Sequence, residues 1–291
     1  MLITNGLNVA SFEKLAELLG RIERAIAAWM TVQQRGCSDP PYRLLALLSL
    51  LLCFVYHFYV FYRSFLPAVH LVLQVRWELL IVDLYLFHVM ILLFALGQCA
   101  ARLRWMCGDA LERDSVAEFC AVLRLRDELI QCVGLVNRIH AVLFLGVSAS
   151  WLISVTCIVY FDFIYSNLEF KPNHPFVFEH LLMVGWKSAL VAGLLAVAGA
   201  AAEQVKQITQ LTQHCGITSL RNKRLASMVN KLLIKCQFQD IHFTVCGLFT
   251  IDNSLNYMVI SSVVTYLVII TQFRQMEIEN ENKVSGKVEH F

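Results

Sequence analysis

Charge is what this sequence has least of. Only 16% of its 291 residues are Asp, Glu, Lys or Arg, against roughly 25% in soluble domains. A chain this poor in charge and 58% hydrophobic is not disordered, and it is too apolar for an ordinary soluble globule. Proline is scarce, with 5, and glycine modest, with 13, which excludes collagen-like and low-complexity classes. Neither sign of charge dominates: 24 Lys and Arg stand against 22 Asp and Glu, a net of +2. No nucleic-acid partner is therefore expected. Catalytic motifs are missing as well. There is no Walker loop, no HExxH helix and no nucleophile–base constellation. Asp240 and His242 are close in sequence, but nothing completes a site around them. No enzyme and no cofactor is expected.

What the sequence does have is long apolar runs. A helix crosses a bilayer with about 20 predominantly apolar residues, and five stretches qualify or nearly so. Residues 44–62 and 255–273 carry no formal charge. Residues 77–101 hold Glu78 and Asp83 near their start, 141–165 hold Asp162 near their end, and 175–202 hold Glu179 and Lys187. A soluble core does not need runs this long and clean. The fold class expected is an all-α integral membrane protein of five transmembrane helices with helical cytoplasmic extensions.

Lys and Arg near the spans orient the chain. Segment 1–43 holds five, the next loop two, 102–140 six, the following loop one, 203–254 six, and the tail 274–291 three. Rich segments alternate with poor ones, so the N-terminus is placed in the cytoplasm and the tail outside the cell. The ten cysteines agree. Cys37, Cys107, Cys120, Cys132, Cys215, Cys236 and Cys246 fall in expected cytoplasmic segments; Cys53, Cys99 and Cys157 lie within or at the ends of spans. That is the pattern of reduced thiols on the inner side of a membrane. His214, Cys215, Cys236, His242 and Cys246 could be imagined as metal ligands, but they lack the regular spacing of a metal site, and no metal is expected.

The inner segments read as helices. In 1–43, Phe12, Leu15, Leu18, Leu19, Ile22 and Ile26 form one amphipathic face, and no signal peptide is recognisable. In 102–140, Val116, Phe119, Cys120, Leu123, Leu129, Val133 and Val136 repeat every three to four residues. In 203–254, Val205, Ile208 and Leu211, then Leu225, Met228, Val229, Leu232 and Leu233, do the same. Helices leaving the second and fourth spans should therefore continue into the cytoplasm. The fourth span carries a face of small residues: Ala189, Gly193, Ala196 and Ala200, with Ala192 and Gly199 beside them. Such a face permits close helix packing within one subunit or between subunits.

The end of the chain carries the most specific pattern. Gly247 to Leu255 reads GLFTIDNSL, and the last apolar run closes as TYLVIITQF from Thr265 to Phe273. This resembles the signature of the insect gustatory receptor family: Thr-Tyr, five mainly apolar residues, then Gln-Phe. The signature residues here are Thr265, Tyr266, Gln272 and Phe273; Thr271 stands where the pattern prefers an apolar residue. The stretch GLFTIDNSL is similar to what precedes the signature in that family. The resemblance covers most of the chain and implies the bundle of a seven-span gustatory or odorant receptor, with the five runs as its last five spans. The first two spans are then missing from this sequence. Residues 1–43 have no room for them, because Phe12–Met30 carries Glu13, Lys14, Glu17, Arg21, Glu23 and Arg24.

The resemblance further implies a ligand-gated cation channel of the plasma membrane, assembled as a homo- or heterotetramer, with 255–273 lining the pore. Gln272 and Phe273 fall at the gate, with Thr265 and Ile269 on the pore wall. Ser261, Ser262, Thr265 and Thr271 would either wet that wall or bond their own backbone. Tyr266 is expected to pack rather than face the pore. Glu277, Glu279 and Glu281 form either an acidic rim or a solvated tail. The ligand pocket implied lies in the outer half of the bundle. There Asp83 and Lys187 would pair or face a ligand, among Tyr56, Tyr59, Trp77, Tyr85, Tyr160 and Trp186. Aromatic walls with a few polar groups suit a sugar or a bitter alkaloid-like tastant. An odorant receptor of the same superfamily and a truncated, non-functional receptor are the alternatives. A G-protein-coupled receptor fits less well: Glu112-Arg113-Asp114 has the wrong order for its triplet, and no Asn-Pro-x-x-Tyr ending exists. Neither internal repeats nor broken helices point to a transporter.

Overall fold

The apolar runs become helices longer than a bilayer requires. The computed structural model describes residues 2–32, 48, 51–59, 62, 69–159, 174–217, 222–237, 243–245, 249–250 and 253–288. Its named helices are α1 (Leu2–Val32), α2 (Val69–Glu112), α3 (Val116–Val159), α4 (His174–Ile217), α5 (Lys223–Gln237) and α6 (Asn253–Val288). Residues 51–59 are also helical; the rest of the expected 44–62 span lies almost wholly outside the described residues. Helices α2, α3 and α4 have 44 residues each, about 66 Å at 1.5 Å per residue. The hydrocarbon core is about 30 Å thick, so each helix has turns to spare beyond it. Among the described residues, Leu79–Glu112, Val116–Cys157 and Leu182–Thr212 are long and apolar enough to cross a membrane.

Two parts of the chain differ from what the sequence led one to expect. Residues 274–288, expected as a tail, continue α6 as helix. Within the 203–254 segment, β1 (Thr244–Val245) and β2 (Phe249–Thr250) pair antiparallel, Thr244 opposite Thr250 and Val245 opposite Phe249. The β-branched and aromatic residues on either side of Gly247 favour that extended pairing over helix. Asn137 Oδ1 of α3 accepts a hydrogen bond from the Thr244 amide at 3.1 Å and fastens β1.

The chain divides into two units, Met1–Phe144 with Gly193–Asp252, and Leu145–Ala192 with Asn253–Phe291. In the first, α1 packs along α2. Leu15, Leu18, Ile22 and Ile26 are buried, one helical face as their spacing dictates. Trp29 meets Trp105 edge to face, ring centroids 5.2 Å apart. Helices α2 and α4 come close where side chains are small: a Cβ at Gly97 would stand 3.3 Å from the Ala201 Cα. Arg104 of α2 donates to the Gln207 side chain of α4. The buried face of α3 runs Phe119, Val122, Arg126, Leu129, Val133, Val136 and His140, alternating steps of three and four residues. On α5, Leu225, Val229 and Leu232 are buried, and Asn222 caps the helix by accepting from the Arg224 amide at 3.0 Å.

The turn between α2 and α3 explains the Glu112-Arg113-Asp114 triplet. Asp114 adopts a left-handed backbone, φ 53°, as residues that end helices often do. Ser115 then caps α3, its Oγ accepting from the Glu118 amide at 3.4 Å. The Ser-x-x-Glu spacing is that of a capping box. Ser115→Ala should lower stability by about 1 kcal/mol, read as a drop in the detergent-solubilised unfolding midpoint; an unchanged midpoint would remove the cap from the account.

In the second unit, the Trp151 Nε1–H of α3 donates to Ser188 Oγ of α4 at 2.9 Å. Leu190 and Val191 are buried there. Helix α6 is different: among its described side chains only Val263 is buried.

Candidate functional site

The polar and aromatic residues of the first unit gather at two places. Tyr85 and His88 sit one turn apart on α2, and His140 and Phe144 one turn apart on α3. The Tyr85 hydroxyl and His140 Nδ1 are hydrogen-bonded at 3.0 Å. His140 is fully buried. Phe12 of α1 stands edge-on to its ring at a centroid distance of 5.5 Å, and Phe144 lies 6.1 Å away. His140 Nε2 is buried without a hydrogen-bond partner among the described residues. A buried unsatisfied donor or acceptor costs roughly 1–3 kcal/mol, so this nitrogen is a position where water or a ligand atom would be stabilised.

The second place joins the 51–59 helix to α2. His57 Nε2 and Asp83 Oδ2 are 3.0 Å apart. Asp83 is 4% exposed and Cys53, one turn before His57, is fully buried. Tyr56 stands edge-on to the His57 ring, centroids 5.1 Å apart. Asp83, expected to pair with Lys187 or to face a ligand, meets His57 within its own unit. Lys187 and Trp186 are half-buried members of the other unit. Tyr59 is exposed and lines a shallow apolar concavity with Phe54, Val55, Phe58 and Tyr62, all from one stretch of chain. Tyr160 and the side chain of Trp77 lie outside the described residues. Of the expected pocket residues, the first unit therefore brings Asp83 to His57 and Tyr85 to His140, and neither histidine was singled out from the sequence. A Cys-x-x-x-His spacing on an apolar run was the signal available for His57.

The small-residue face of α4 is divided by the fold. A Cβ at Gly193 would stand 3.5 Å from the Met90 sulfur, whereas one at Gly199 would meet nothing within 4 Å among the described residues. Ala196 and Ala200 instead line a groove of about 300 Å3 with Gly97, Gln98, Ala101 and Gln204. Among the cysteines considered as metal ligands, Cys236 is the one whose side chain is described. Its sulfur accepts from Arg126 Nη2 at 3.0 Å and from the Thr209 hydroxyl at 3.4 Å.

On α6 the hydroxyls turn inward to their own helix. Ser262 donates to the Met258 carbonyl at 2.8 Å, Thr265 to Ser261 at 2.9 Å and Thr271 to Leu267 at 2.7 Å. Thr265, Ile269, Gln272 and Phe273 share one face by their three- and four-residue spacing, and all are exposed in the single chain. Val263 points away from Thr265, Ile269 and Gln272 and lies about 80° from Phe273. Tyr266 lies about 60° from Val263 around the helix and about 20° from Phe273, and is 56% exposed. Glu277 forms an ion pair with Arg274 at 2.9 Å; the side chains of Glu279 and Glu281 lie outside the described residues.

A model of the 7tm chemosensory receptor family matches residues 1–277. Gustatory receptor 2a of Drosophila melanogaster is 26% identical over 264 residues, 84% of this chain and 59% of that protein. Gustatory and pheromone receptor 32a of the same species is 33% identical over 98 residues, 29% of this chain and 21% of that protein. Gustatory receptor 68a is 44% identical over 57 residues, 20% of this chain and 15% of that protein. The chain thus spans less than two thirds of the length of these relatives. The fold is similar to that of the insect olfactory receptor OR5 from Machilis hrabei, with a TM-score of 0.62 at 12% identity, covering 92% of this chain and 81% of that one. The structure of OR5 in complex with eugenol matches at 0.54, covering 92% of this chain and 70% of that one.

Proposed function

The chain belongs to the 7tm chemosensory receptor family, and on that premise we propose that it is a gustatory receptor: a plasma-membrane, ligand-gated, non-selective cation channel opened by a small tastant of the sugar or bitter class. The observation that carries this reading is α6. Residues 255–273 hold no formal charge, yet most of the described side chains along them are exposed. An apolar helix left bare in one chain is covered by lipid or by other copies of the chain. A tetramer, homomeric or with related subunits, places four such helices around an axis. The face of Thr265, Ile269, Gln272 and Phe273 then lines the ion path, and Tyr266 packs against a neighbour. Backbone bonding by Ser262, Thr265 and Thr271 leaves that wall largely apolar, which suits a pore closed by dewetting.

Binding of a small molecule is supported by the olfactory receptor of the same fold, whose structure is in complex with eugenol. In this chain Tyr85, His140 and Phe12 on one side, and Tyr56, His57 and Asp83 on the other, supply rings with a few hydrogen-bonding groups. The N-terminus is then cytoplasmic and the C-terminus extracellular, a reading the Lys and Arg distribution supports.

The test is whole-cell recording from cells expressing the chain at their surface, with panels of sugars, bitter compounds and volatile odorants. A cation current evoked by a sugar or bitter compound is the expected result. A response confined to odorants would move the protein to the odorant class. Surface-expressed protein with no evoked current would defeat the channel reading.

A further inference from the structure

We infer that Cys53, His57 and Asp83 form a binding site for a borderline divalent cation of the zinc class, one that ties the 51–59 helix to α2. Cys53 and His57 are four residues apart on one helix and so share a face. Asp83 reaches them from α2. One sulfur, one imidazole nitrogen and one carboxylate oxygen all lie within 4.8 Å of one another, and His57 Nε2 is already 3.0 Å from Asp83 Oδ2.

Zinc binds sulfur at about 2.3 Å, histidine nitrogen at about 2.0–2.1 Å and carboxylate oxygen at about 2.0–2.2 Å. In a tetrahedron those lengths put the ligand atoms roughly 3.3–3.7 Å apart. The histidine and carboxylate are close to that spacing. The thiol sulfur lies within 4.8 Å of both, so an approach of about 1 Å at most closes the set. The donor set decides the metal. Calcium and magnesium take oxygen ligands, whereas a thiolate with imidazole selects zinc or a softer ion.

The charges also fit. A thiolate and a carboxylate around a neutral imidazole bring two negative charges to a divalent cation, and buried charges are tolerated when so compensated. As the metal–sulfur bond forms, the thiol proton leaves to solvent and the His57–Asp83 hydrogen bond gives way to two metal bonds. Three protein ligands leave one position for water.

The test uses the purified full chain in detergent with Co2+ as the probe. One equivalent should produce a sulfur-to-cobalt absorption in the near ultraviolet and tetrahedral bands in the red, both removed by Zn2+. Cys53→Ser should lose the sulfur band. His57→Ala and Asp83→Asn should each weaken binding about tenfold or more, and Cys120→Ser should leave it intact. No cobalt signal, or a sulfur band that persists in Cys53→Ser, overturns the site. If a variant fails to elute as a single species, X-ray absorption of the zinc-loaded wild-type chain decides. A shell of one sulfur with nitrogen and oxygen supports the site, and any other shell overturns it.

Discussion

Replacing Arg126 by alanine is expected to cost about 3 kcal/mol of stability, among the largest effects of any single substitution in the helical platform. Arg126 is 1% exposed and occupies a core position of α3, between Val122 and Leu129 on the same face. Its Nη2 donates to Cys236 Sγ on α5 at 3.0 Å, and its Nη1 lies 3.6 Å from Asp127 Oδ1. Truncation removes a long stem from a packed seam and opens a cavity. It does not strand Asp127, which keeps Lys235 at 2.8 Å. The expected cost is chiefly that of the lost volume. Arg126→Met, which refills the stem, should recover most of the loss, since apolar replacement of a buried charge is often neutral or better. Asp127→Asn, at an exposed pair, should stay within about 1 kcal/mol. Unfolding midpoints followed by tryptophan fluorescence in detergent separate the cases. Equal losses for Ala and Met would mean that the charge, not the volume, holds α3 to α5.

Arg126 also marks the limit of what the pattern of residues could reveal. The apolar stripe of α3 was legible at Phe119, Leu129, Val133 and Val136, because a period of three to four residues can be satisfied only by a helix with one buried face. The same period passes through positions 126 and 140, which hold Arg and His. A charge at such a position reads as an interruption, and Arg126 was counted simply as one of the positive residues on the inner side. Only the partner helix shows that α5 presents Cys236 to receive it. The N-terminal face was read more completely, since Leu15, Leu18, Ile22 and Ile26 are all apolar and all buried. The β1–β2 pair was missed because two-residue strands are shorter than any periodicity that could announce them.

The candidate site was legible in kind but not in pairing. Asp83 stood out because a carboxylate within an apolar run is costly, and that argument requires a partner without naming one. Lys187 was the one partner considered, and His57, on an uncharged run, carried no signal that would have named it. The 51–59 segment turns His57 toward α2, so Asp83 is met there. Tyr85 illustrates the same limit: its ring was expected to wall a pocket, and the sequence did not show that its hydroxyl meets His140, 55 residues away. Pairings between helices depend on azimuth and axial shift, which a single helix's composition does not contain. Sequence alone does encode which side of a helix is polar. On α6 it therefore gave the shared face of Thr265, Ile269, Gln272 and Phe273, while leaving open whether the hydroxyls served water or the backbone.

That face leads to the second large effect. Phe273→Ala is expected to raise ligand-independent cation current about tenfold or more, if the four-copy arrangement proposed above holds. Phe273 is 64% exposed in the single chain and follows Ile269 by one turn on the same side. Four such rings around an axis leave a constriction too narrow and too apolar to hold water, and ions do not enter a dry pore. Alanine removes the rings and lets the constriction wet, so the closed state conducts. Phe273→Leu keeps an apolar plug of similar reach and should remain closed. Gln272→Ala removes an amide beside the plug, and its signature is a weaker open current with little change at rest. The three variants thus separate closing from conducting at neighbouring positions. Recordings matched for surface expression are the measurement. A Phe273→Ala channel that stays silent without ligand, yet opens with it as the wild type does, would place the gate elsewhere along α6.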